Sequence, residues 1–153
     1  MHLIVRLESA KLCDPPSFEP QAKTPLQQQG LTYERKIVRV LKSLYADTCE
    51  ILHGQWFQYI DASGTRFAQP DVILLPKDKT KPIIVVEVKL TWSKLGKVKL
   101  GCNYARLVKT VYARPVVQVQ ICKRIRRGCT DKTFADIDKL LELDKKYACC
   151  TYV

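Results

Sequence analysis

The stretch from Gln69 to Lys89 constrains the fold most. Pro70-Asp71 opens an apolar run, Val72-Ile73-Leu74-Leu75, and a second run from Ile83 to Leu90 carries Glu87 and Lys89 among valines and isoleucines. Lys77 to Lys81 supply a polar turn between the two, so the pair reads as an antiparallel hairpin. Side chains alternate along a strand, which places Ile83, Val85, Glu87 and Lys89 on one face and Ile84, Val86, Val88 and Leu90 on the other. Burying a carboxylate or an ammonium without a partner costs on the order of several kcal/mol. Their position in so apolar a strand therefore asks for a partner, and metal chemistry supplies one.

A chain of 153 residues with a hydrophobic fraction of 46% suits one domain with a real core. The reading is an N-terminal strand and arm over residues 1–30, ahead of a single domain over 31–153. No run approaches the roughly 18 apolar residues of a membrane span, and the opening Met-His-Leu-Ile-Val-Arg is too short and interrupted for a signal peptide. Seven cysteines without a secretory signal read as reduced thiols. The expectation is a soluble cytoplasmic protein, in the host cell if the source is viral, with no membrane partner.

The net charge of +11 is concentrated. Residues 77–132 hold 15 Lys/Arg against 3 Asp/Glu, and the remainder holds 11 against 12. Clustering of this kind builds a positive face that attracts a polyanion by counterion release, and nucleic acid is the obvious candidate. A solvated basic surface or an anionic-membrane contact would carry the same charge.

Taken in order, Leu3 to Leu7 alternate as an edge strand, followed by a proline-bearing arm through Pro15, Pro16, Pro20 and Pro25. Leu31, Glu34, Val38, Leu41 and Tyr45 fall on one helical stripe, which puts Glu34 on the core-facing side of a helix. A helix-start glutamate with Thr32 as the cap is the simpler alternative. Two short strands, Ile51 to His53 and Gln55 to Ile60, and a turn at Asp61 to Gly64 extend the sheet towards Asp71. Lys94, Lys97, Lys99, Arg106 and Lys109 surround an apolar stripe of Leu100, Tyr104, Leu107 and Val111. This predicts a basic amphipathic helix whose regular part begins near Gly101 and which Pro115 ends. Val117, Val119 and Ile121 alternate with Gln118, Gln120 and Cys122 in a strand parallel to the Glu87 strand, with Lys123 to Arg127 as its basic tail. Thr133, Phe134, Ile137, Leu140 and Leu141 predict a closing helix.

A helix glutamate, Pro-Asp at a strand, Glu-x-Lys on the next strand and then a basic helix resemble the PD-(D/E)xK nuclease superfamily. The motif here is Pro70-Asp71, fifteen intervening residues, then Glu87-Val88-Lys89, and the resemblance covers residues 31 to 122. It implies an α/β fold with a central mixed β-sheet flanked by helices, a restriction-endonuclease-like core. The residue types suit the chemistry in their own right. Mg2+ takes hard oxygen ligands and keeps several waters, so Asp71 and Glu87 could hold Mg2+ or Mn2+ beside a phosphate. Lys89 could orient a water and offset developing charge, and Glu34 would complete the site. The resemblance further implies the Val88 carbonyl as a metal ligand and phosphodiester hydrolysis leaving a 5′-phosphate.

The plain alternative for Glu87 and Lys89 is a same-face ion pair, and for Asp71 a turn residue after Pro70. Trp92 and Tyr104 could stack on bases but are more commonly core. Gln69 reads as a polar strand start and His53 as a packed or exposed strand histidine. Cys13 with Cys122, Cys129, Cys149 or Cys150 could imitate an iron–sulfur set, although no CxxC spacing is present.

The leading function is a metal-dependent DNA nuclease. It would be either a small structure-specific endonuclease resembling junction resolvases, with a homodimer suited to cutting two strands, or a phage- or recombination-type exonuclease. A non-catalytic nucleic-acid-binding module and an RNA-directed nuclease are the alternatives.

Overall fold

The computed structural model describes residues 2–17, 23–125 and 147–152. The closing helix predicted around Phe134 to Leu141 and the Cys129 thiol lie outside the described residues. In chain order the elements are β1 (Ser9–Cys13), α1 (Pro25–Tyr45), β2 (Cys49–His53), β3 (Trp56–Asp61), β4 (Gly64–Ala68), β5 (Val72–Pro76), β6 (Ile83–Thr91), α2 (Lys94–Lys99), α3 (Ala105–Tyr112), β7 (Val116–Arg124) and β8 (Tyr147–Thr151), with a π turn over Leu100–Tyr104 joining α2 to α3. The predicted α/β class with a central mixed sheet holds. Five strands lie in the order β2-β5-β6-β7-β8, antiparallel as far as β6 and parallel from there on.

The hairpin forms as its pattern demands, with Val72 opposite Val86 and Leu74 opposite Ile84. Its two faces separate as the alternation requires. Ile84, Val86 and Val88 pack with Ile37, Val38 and Leu41 of α1, while Ile83 and Val85 pack with Leu100, Tyr104, Leu107 and Val108 from the second helical run. Both faces being covered explains why β5 and β6 read as nearly continuous apolar runs.

Four expectations are corrected. First, β3 and β4 do not extend the sheet: they form a separate three-stranded antiparallel sheet with β1. Only β2 joins the Asp71 strand.

Second, the N-terminal strand is Ser9–Cys13 rather than Leu3 to Leu7. The backbone turns at Arg6, where φ is 53°. The amides of Ile4 and Val5 donate to the side chains of Asn103 and Asp61 instead of to a strand partner.

Third, α1 begins six residues before Leu31. Pro25 occupies the first turn, and Thr24 and Gln27 form a reciprocal capping box. Thr32 is consequently interior, its hydroxyl donating to the Gln28 carbonyl.

Fourth, the basic helix starts at Lys94, capped by the Ser93 side chain. Gly96 and Gly101 do not delay it, because both face β7 closely. A Cβ on Gly96 would stand 3.3 Å from Gln120 Nε2, and one on Gly101 3.2 Å from Gln118 Oε1. The entropic cost of glycine is accepted where the helix must approach the strand. The run ends at Ala113, which is left-handed with φ 52°, two residues before Pro115.

Strand β8, parallel to β7, had no counterpart in the sequence reading. Among the described residues no helix is long and apolar enough to cross a membrane.

Gly96→Leu would drive a branched side chain into Gln120 and is expected to destabilise the protein by about 1–3 kcal/mol, as overpacking does. Urea unfolding of the variant against wild type measures this.

Candidate active site

The site forms where β5 begins and β6 runs on past it. Val72 is paired with Val86, so Asp71, one residue earlier, lies beside the Glu87–Val88 step, and the Val88 amide donates to Asp71 Oδ2 at 2.8 Å. The Asp71 carbonyl accepts in turn from Gly54 N at 3.0 Å. Gly54 has φ 67°, and a Cβ there would stand 2.9 Å from Gln69 Nε2. Gln69 donates to the Gly54 carbonyl at 2.9 Å. It is therefore a latch for the β2–β3 turn that braces Asp71, a more specific role than a polar strand start.

Glu87 is fully buried. Lys89 Nζ stands 2.9 Å from its Oε1 and Lys99 Nζ 4.0 Å away. The Lys89 contact is an ion pair by distance but lies off hydrogen-bond directions, and Oε2 has no hydrogen-bond partner among the described residues. A buried carboxylate left in this state retains lone pairs for a cation or a donor.

Glu34 projects from α1 into the same region, and its Oε1 is 2.9 Å from His53 Nε2. Glu34, Asp71, Val88 and Lys89 line one cleft of about 620 Å³. Glu87, Lys89 and Lys99 line a second, of about 940 Å³, bounded on its far side by Trp56, Arg66 and Phe67. Lys89 belongs to both clefts, so the four predicted residues meet around one ammonium rather than inside one pocket.

The electrostatics follow from this crowding. Burial pushes the Asp71 carboxyl up to about 8, and the charges of Glu87 and Glu34 add to that. The Val88 amide and Lys89 oppose it. For Lys89, burial works against the charge, but Glu87 above all, then Asp71 and Glu34, outweigh it and hold the ammonium above its ordinary value. Lys89 is a firm cation. Burial, then Glu87 and Asp71, raise the Tyr104 phenol as well, and Tyr104 is core.

The donor set fits a hard divalent cation. Among the described residues no three His, Cys, Asp or Glu side chains close into a metal cage. Mg2+ does not require one, since it is held by one or two carboxylates together with waters and phosphate oxygens. The iron–sulfur idea gains no support among the described residues. Cys150 packs on the α1 side of the sheet, whereas Cys149 of the same strand is 3.6 Å from Cys122, and Cys13 lies in the other sheet.

Of the five predicted nucleic-acid contacts only Lys99 lines the Glu87 cleft. Lys97 Nζ sits 4.4 Å over the Tyr147 ring, and Lys94 and Lys109 are exposed. Arg106 donates to the carbonyls of Ile4 and Cys102 and so anchors the N-terminal segment. Trp92 is tied into the fold by its indole N–H on the Tyr147 hydroxyl, 3.3 Å away.

Two contributors were not recognised from sequence. His53 partners Glu34, a pairing between distant segments that no local pattern announces. Gln120, fully buried, accepts from the Ser93 amide at 2.8 Å and donates to the Ser93 carbonyl at 3.0 Å. It thereby fixes the start of the basic helix next to Glu87, its neighbour across the β6–β7 ladder.

No family model matches the sequence, and no match was found among curated proteins. Among solved structures, the chain is similar to the protein of an EndoMS–dsDNA2 complex, with 14% identity and a TM-score of 0.47 over 90% of this chain and 48% of that one. It is also similar to a repair endonuclease from Pyrococcus abyssi, with 18% identity and a TM-score of 0.40 over 88% of this chain and 49% of that one. The chain thus spans about half the length of each. What the site does has to be argued from its own side chains.

In chelator, the folded state holds a proton on Asp71 up to about pH 8, whereas the unfolded chain releases it near pH 4. Between those values the folded state binds more protons, so this group makes stability fall as pH rises. Relative to wild type, Asp71→Asn is accordingly expected to gain stability as pH rises from about 4 to about 8, with no such gain below about pH 4. Urea unfolding across that pH range measures it.

Proposed function

We propose that the protein is a metal-dependent nuclease of the PD-(D/E)xK type that hydrolyses phosphodiester bonds in DNA. The observation that carries this reading is the convergence of three carboxylates, Glu34, Asp71 and Glu87, on one lysine at the mouth of two clefts. A plain strand ion pair needs neither Asp71 nor Glu34, and a binding module has no use for acids placed where a phosphate would be repelled.

Asp71, Glu87 and the Val88 carbonyl would hold Mg2+ or Mn2+, with Glu34 completing the surroundings. When bound, the cation supplies Lewis-acid charge at the scissile phosphate.

The chain's own groups do the rest. Lys89, held as a cation, donates a hydrogen bond that orients the attacking water and stabilises charge developing on the phosphoryl oxygens. It is not the proton acceptor. His53 fixes the Glu34 carboxylate, and Lys99, 4.0 Å from Glu87, adds positive potential at the cleft floor. Lys94, Lys97 and Lys109 extend that potential along the helical run. An RNA substrate would be held by the same phosphate contacts.

EDTA is expected to abolish cleavage of labelled DNA, and Mg2+ or Mn2+ to restore it. Asp71→Ala and Glu87→Ala should lose cleavage while still binding DNA in a mobility-shift assay, because the basic surface is untouched. Glu34→Gln should keep the fold and lower turnover about 10- to 100-fold, the range for groups that support a metal site. Undiminished cleavage in EDTA would overturn the mechanism.

A further inference from the structure

A second basic surface lies on the opposite side of the site from α2. Lys36 and Arg39, three residues apart on α1, face Lys123 and Arg124 at the end of β7 across a groove of about 810 Å³. All four side chains are exposed. Among the described residues the groove wall contains no Asp or Glu, and none of the four cations has a carboxylate within ion-pair reach. Lys36 Nζ is steadied 5.8 Å over the Tyr152 ring, and the Tyr33 hydroxyl pins that segment by donating to the Tyr152 carbonyl at 2.6 Å. Ordinary protein surfaces mix their signs. Four cations converging on a groove wall without acids define a place for a chain of anions.

The groove is continuous with the candidate active site. Leu90 and Arg124 line both this groove and the cleft that holds Glu34 and Asp71, and Lys89 joins that cleft to the one containing Glu87 and Lys99. A trough therefore enters from the α2 side, passes the carboxylates and leaves between α1 and β7, with cations at both ends.

We propose that the Lys36–Arg39–Lys123–Arg124 groove binds the nucleic-acid backbone beyond the scissile phosphate, so that the substrate runs through the site and is cut internally. The proposal rests on the nuclease reading and adds to it a second phosphate-binding surface and a class of substrate, a strand continuous on both sides of the cut.

The test compares wild type with the combined variant Lys36→Gln, Arg39→Gln, Lys123→Gln and Arg124→Gln, its fold confirmed by an unchanged circular dichroism spectrum. Binding of a long fluorescein-labelled DNA duplex is followed by anisotropy in EDTA over a series of salt concentrations. Each lost phosphate contact lowers the slope of log K against log salt by about 0.9, so the variant is expected to lose about 3 to 4. A loss of about 2 or more supports the groove, and a smaller one overturns it. With Mg2+ restored, wild type should also cut covalently closed circular DNA, whereas degradation confined to linear DNA of the same sequence would overturn internal cutting. Wild type that binds and cleaves while the variant keeps its salt slope refutes the groove alone. Wild type that binds but never cleaves refutes the nuclease reading and internal cutting, while the salt slope still decides the groove. Wild type that binds no nucleic acid refutes both.

Discussion

Glu87 is a fully buried carboxylate in the middle strands of the main sheet, with Lys89 2.9 Å from one oxygen. Burying such a charge is tolerable only with a counter-charge close by, and much of the surrounding structure serves that end. Strand β6 must run past the start of β5 so that Lys89 can reach back to Glu87. The second helical run must approach closely enough to bring Lys99 near, and glycine at 96 with Gln120 clasping Ser93 makes that approach. The apolar faces above and below, packed by α1 on one side and by α3 on the other, keep water away and strengthen every interaction among the charges.

Three acids around one lysine leave the site with more negative than positive charge, and the upward push on Asp71 by burial, Glu87 and Glu34 expresses this surplus. In a structural network such a surplus would be a defect. In a site built to receive a divalent cation it is the source of affinity. The same crowding keeps Lys89 charged, which suits a hydrogen-bond donor to water and phosphate and disqualifies it as a base. The outer surface has the opposite character, with cations on α2, α3, α1 and the end of β7. On the proposed reading, this charge pattern would draw an anionic polymer to the rim and leave the acids at its centre available.

The hairpin and the placement of Glu87 and Lys89 on it were legible in the sequence because period-two alternation fixes which face each residue takes, and Glu87 and Lys89 stand out against valine. Glu34 was legible from the helical stripe, although it lies at the margin of the buried face and leans on His53. Other features were not legible, for identifiable reasons. The alternation in Trp56–Asp61 specifies a strand but not its partner, and β3 pairs with β1 and β4 instead of joining the main sheet. Leu3 to Leu7 alternate, yet Asn103 and Asp61 capture the backbone amides of Ile4 and Val5. Glycines that weaken an isolated helix stand where the helical run comes close to Gln118 and Gln120 of β7. The basic groove combines α1 with β7, residues more than eighty positions apart, which no linear charge count can bring together.

The central claim is that Asp71 and Glu87 form a divalent-cation site, and binding of the ion itself tests it without recourse to turnover. Titration of the protein with Mn2+, followed by electron paramagnetic resonance of the free ion, is expected to show saturable binding by wild type. Asp71→Asn combined with Glu87→Gln should weaken it at least about tenfold, the lower end of what removal of metal-site groups costs. Equal Mn2+ binding by wild type and that double variant would contradict the account.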